Sequence, residues 1–138
     1  MTEQVVAPEV AAAEFDRFAA AMDIDTDTAK WDAEDVAAFT KQKSRILKAI
    51  ERGALVVNES GEAVYTPWNP RSGYKEPITF HERTGASLMA MDGSKKGHDV
   101  AKTYAVMADM CGVHPKVFAG LAGSDVKVCE ALFALLMD

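Results

Sequence analysis

The chain has 138 residues, 49% of them apolar, which is enough to bury one core and too little for two independent ones. Its formal net charge of −6 excludes the broad basic surface with which nucleic-acid binders neutralise phosphates. No apolar run reaches the roughly 20 residues that cross a bilayer. The start, Met1-Thr-Glu-Gln-Val, lacks the basic-then-apolar order of a secretory leader, so the cytoplasm is the expected location, with neither membrane nor nucleic acid as partner.

Charge is unevenly spread. Residues 1–40 carry ten acids against Arg17 and Lys30, whereas residues 41–52 carry Lys41, Lys43, Arg45, Lys48 and Arg52 against Glu51. A basic stretch this short reads as a solvated helix face, or one drawn to the acidic segment before it.

Phe15, Phe18, Ala19 and Met22 fall at i, i+3, i+4 and i+7, which predicts an amphipathic helix over residues 9–22. Asp23-Ile-Asp-Thr-Asp-Thr interrupts it, because Asp and Thr side chains compete for backbone groups and favour turns. Asp32 is placed to cap a second helix, with Asp35 in its first turn. The stripe Val36, Phe39, Ile46, Leu47 and Ile50 runs along it to a stop at Gly53. Residues 1–53 are thus expected to form an antiparallel helical pair, an N-terminal arm.

At residue 54 the pattern becomes β-like. Ala54-Leu-Val-Val and Ala63-Val-Tyr-Thr flank Asn58-Glu-Ser-Gly61, which predicts a hairpin. The proline-rich stretch Pro67 to Pro77 must be loop, and Ile78-Thr-Phe-His-Glu82 alternates as a third strand with Ile78 and Phe80 inward. Thr84 can cap a short helix through Met91, and Gly93 to Gly97 forms a turn. Val100, Tyr104, Met107, Ala108 and Cys111 make the next stripe, closed by Gly112. Pro115 opens a short helix, and Ser124 or Asp125 can cap the last, which is apolar on several sides. The fold class expected is α+β: a small antiparallel meander packed with several helices over residues 54–138, preceded by the helical arm and joined to it as one compact unit.

The sharpest motif is the acidic loop. Asp23, Asp25 and Asp27 have the spacing of calcium-loop positions 1, 3 and 5, and Glu34 falls on position 12 of an EF-hand. Against this, Thr28 stands where the loop needs glycine, and an Asp-rich turn capping the next helix explains the same residues. Cys111-Gly-Val-His114 with Cys129 and His98 would supply zinc ligands, but one tight pair is a weak signature and buried thiols account for both cysteines. No nucleophile elbow, phosphate loop or His-Glu-x-x-His is present. His81 and Glu82, adjacent on a strand, face opposite ways. Lys95 and Lys96 in their turn read as solvated. Neither catalysis nor a cofactor is expected.

What remains is apolar surface for another polypeptide. Trp68 and Tyr74 lie on a rigid proline loop, the kind of anchor protein interfaces use. Leu132, Phe133 and Leu136 on the terminal helix form the second candidate contact, with core as the competing explanation.

The run Ile78-Thr-Phe-His-Glu-Arg-Thr-Gly-Ala-Ser-Leu-Met-Ala-Met-Asp92, the helix to Gly112, the Pro115 helix and the segment from Leu121 through Asp125 to an apolar end resemble tail assembly chaperones of long-tailed bacteriophages. The likeness covers about residues 54–138. It implies a non-enzymatic protein that coats the helical tape measure protein, recruits tail tube subunits in the host cytoplasm and is absent from the finished tail. A calcium-binding module and a structural subunit of the particle are the alternatives. Self-association into a homo-oligomer is compatible with each.

Overall fold

A computed structural model of the chain describes residues 6–82 and 100–137. Among the described residues, five helices and a three-stranded antiparallel sheet make an α+β fold that begins with a helical pair. The elements are α1 (Pro8–Ala21), α2 (Ala33–Arg52), β1 (Leu55–Val57), β2 (Ala63–Tyr65), β3 (Ile78–Phe80), α3 (Val100–Cys111), α4 (Lys116–Ala119) and α5 (Gly123–Met137). The helix expected from Thr84 to Met91, the turn at Gly93 to Gly97, and His98 lie outside the described residues.

Helix α1 starts on Pro8, whose missing N–H costs nothing in a first turn. It buries Ala11, Phe15, Phe18 and Ala19. The stop comes at Asp23, which takes the left-handed conformation (φ 56°) while the Ile24 N–H bonds back to the Ala19 carbonyl at 2.8 Å. Asp tolerates that conformation better than most side chains. Helix α2 is capped as expected: the Asp32 carboxylate accepts from the Asp35 N–H at 2.8 Å, and Gly53 closes the far end at φ 85°.

The strands alternate. Leu55, Val57, Ala63, Tyr65, Ile78 and Phe80 point into the core while Val56 faces solvent. Leu55 pairs with Tyr65 and Val57 with Ala63, and Tyr65 in turn pairs with Ile78. The Asn58 carboxamide organises the hairpin turn by accepting from the N–H groups of Ser60 and Glu62, both at 2.9 Å. Arg17 ties α1 to the hairpin, donating to the Val57 and Asn58 carbonyls at 2.6 Å each. Its guanidinium also holds the Glu14 carboxyl below the usual range through their hydrogen bonds.

Helix α5 lies across α2, and one contiguous apolar core runs from Ala11 to Leu136 with contributions from all three strands. Only the C-terminal half of α2 is well covered. Ile46, Ala49 and Ile50 are buried, but Val36 and Phe39, on the same stripe, are half-exposed. No helix among the described residues is long and apolar enough to cross a membrane.

Candidate functional site

The half-covered first part of α2 lines a cleft of about 660 Å³. Asp23 and Asp25 from the turn after α1, and Asp35 from the first turn of α2, contribute to it. Trp31, Phe39 and Gln42 also line it, as do Ala134 and Leu135 near the end of α5. The Trp31 ring stands edge-on to Phe39, with centroids 5.4 Å apart, and Phe39 meets the fully buried Phe15 at 6.4 Å. Edge-to-face contacts of this kind fix ring orientation as well as burying area. A row of rings therefore braces the cleft against the core.

Among the described residues, none of the cleft's three carboxylates is in an ion pair. The Gln42 amide oxygen is shielded from solvent and, among the described residues, has no hydrogen-bond partner. A buried acceptor left in that state costs about 1–3 kcal/mol.

The four acids of the calcium-loop pattern do not converge. Asp23 sits at the left-handed stop of α1. Asp25 and Asp27 accept from the backbone two residues on, at Asp27 N (2.9 Å) and Ala29 N (3.1 Å), and Glu34 is exposed in the first turn of α2. Among the described residues no three of His, Cys, Asp and Glu gather as a metal ion would require. The physical reason is local: Asp25 and Asp27 each close their own turn, and no glycine lets the chain fold the acids inward. Of the zinc candidates, the described Cys111, His114 and Cys129 do not gather as a metal site either. Cys111 and Cys129 are buried free thiols, the former pushed up to about 12 by burial and the latter also raised by burial. His114 spends its Nδ1 accepting from the Lys116 N–H at 3.1 Å.

The proline loop is tied down from below by Asp125. This residue is 0% exposed and does not cap α5 as the sequence suggests. Its carboxylate instead accepts from the Tyr65 hydroxyl (2.5 Å), the Trp68 N–H (3.1 Å), the Asn69 N–H (3.2 Å) and the Ser72 hydroxyl (2.5 Å). Ser72 passes the connection on by accepting from the Ala122 N–H. Burial and the Asp125 contact push the Tyr65 phenol far above its ordinary value. On the outer side of the loop Trp68 is 36% exposed, with the Arg52 guanidinium stacked over its ring at 4.3 Å, and Tyr74 rests half-buried on the core.

The terminal-helix candidates need correction as a surface. Leu132 and Leu136 are 0% exposed and Phe133 6%, because a helix apolar on several sides has been placed at the centre of the core. The part of α5 that reaches the cleft is the neighbouring pair Ala134 and Leu135, one step away in helical phase. Trp31 and Gln42 were not singled out from sequence. The available signal was a tryptophan just ahead of the Asp32 cap, on the same side as a stripe residue, Phe39, with too few apolar partners to cover it. No protein-family model, curated protein or solved structure matches the chain.

Proposed function

We propose that the chain is a non-enzymatic binding protein of the tail assembly chaperone kind, which shields apolar helical segments of a tape measure protein, or of tail tube subunits, in the host cytoplasm. The observation that carries this reading is the half-covered stripe of α2: Phe39, with Trp31 edge-on to it, lies in an open cleft that an apolar helix could occupy. Helix-in-groove recognition needs apolar surface flanked by polar groups, and the lining of this cleft supplies both kinds of residue. Trp68 on its braced loop offers a second, smaller contact.

Co-expression with a tagged tape measure fragment provides the test. The fragment should retain the wild-type chain. Trp31→Ala should weaken the complex roughly 10-fold or more, as loss of a central aromatic anchor does. Trp68→Ala should weaken it less, since Arg52 already covers one face of that ring. Retention of both variants at wild-type strength, with circular dichroism melts unchanged, would exclude these surfaces.

A further inference from the structure

The cleft differs from a simple apolar groove in being lined by three carboxylates that, among the described residues, have no ion pair, and by Gln42, whose amide oxygen has no partner among them. We infer that its occupant is an apolar helix presenting one arginine or lysine into the cleft, the aliphatic stem lying on Trp31 and Phe39 and the cation reaching Asp25 and Asp35. The inference rests on the binding role proposed above and specifies the chemistry of the partner.

Long basic side chains suit this site because their stems cover apolar rings while their charged ends remain with polar groups. An aromatic ring beside carboxylates attracts a cation from two sides, through its π face and by direct charge. Gln42 adds a third element. Among the described residues its oxygen has no donor, and the side chain lines the cleft. The terminal amide torsion is broad and nearly two-fold, so a small turn brings the oxygen to an incoming N–H. The unmet acceptor is a cost in the free chain that a bound cation relieves.

Two synthetic helical peptides of about 18 residues, rich in Leu and Ala and differing only in a central arginine or its neutral isostere citrulline, separate charge from apolar contact. Binding is read from Trp31 fluorescence in the full chain carrying Trp68→Phe. The arginine peptide should bind at least roughly 10-fold tighter than the citrulline peptide. High salt or Asp35→Asn should largely erase that preference. Gln42→Leu should act in opposite directions, raising the melting temperature by roughly 3 °C and weakening the arginine peptide several-fold.

Equal affinity for the two peptides, or binding of neither, overturns the inference, as does a Gln42→Leu variant that is both less stable and equally tight. If neither peptide binds but the tape measure fragment still co-purifies, the cleft assignment is wrong and the chaperone role stands. If the arginine peptide binds and the fragment does not, the reverse holds.

Discussion

Asp125→Ala is expected to destabilise the chain by about 4 kcal/mol, a large share of the 5–15 kcal/mol typical of a domain. The carboxylate is wholly buried and accepts from four donors, two on the backbone of the proline loop and two on side chains. A hydrogen bond to a charged group contributes about 1.5–3 kcal/mol, and alanine would leave the Tyr65 hydroxyl without a partner inside the core. The contributions are not additive, which keeps the expected total below their sum. Asp125→Asn should fall between alanine and wild type, because its nitrogen would confront donors where an oxygen now accepts. Tyr65→Phe, which removes one donor and leaves the others satisfied, should cost only about 1 kcal/mol. Urea unfolding followed by circular dichroism gives all three values. A midpoint for Asp125→Ala within error of wild type would show that the loop is not held from below.

Gly61→Ala should rank second, at about 3 kcal/mol. Gly61 sits at φ 83°, where a side chain costs about 1 kcal/mol. A Cβ there would lie 2.2 Å from the Ala21 Cβ, which hangs directly on the backbone of α1 and has no torsion to turn away. The end of α1 or the hairpin turn must shift, and overpacking of this kind costs about 1–3 kcal/mol more. The shift would also pull on the Arg17 contacts to Val57 and Asn58. Ala21→Gly in the same chain should restore the steric part and leave the backbone strain. Thermal melts of the two single variants and the double variant separate those parts, and an absence of rescue would mean that the two elements do not approach so closely.

Much of the fold was legible because its signals are local. Asp32 and Gly53 mark the ends of α2 by chemistry that operates within one turn. Leu55, Val57, Ile78 and Phe80 reveal their strands by alternation. The site was less legible because its parts are distant. Asp125 meets groups 53 to 60 residues upstream, and nothing in its neighbourhood distinguishes that from a helix cap. The facing of α5 could not be read either, since Leu132, Phe133, Leu135 and Leu136 surround the helix and only packing decides that Ala134 and Leu135 meet the cleft. The acidic loop was open to two readings: the spacing of Asp23, Asp25 and Asp27 imitates a metal loop, while the Asp25 and Asp27 carboxylates each accept from the backbone two residues on.

In the role we propose, another polypeptide enters between the Asp-rich turn, the first half of α2 and the end of α5. Amide shift mapping of the isotopically labelled chain, as a tape measure helix is titrated in, addresses it most directly. The largest changes should fall on Asp25, Trp31 with its indole N–H, Phe39, Gln42 and Ala134, while exposed Val56 on the sheet stays still. Changes centred on the sheet or the proline loop, with Trp31 and Gln42 unmoved at saturation, would contradict it.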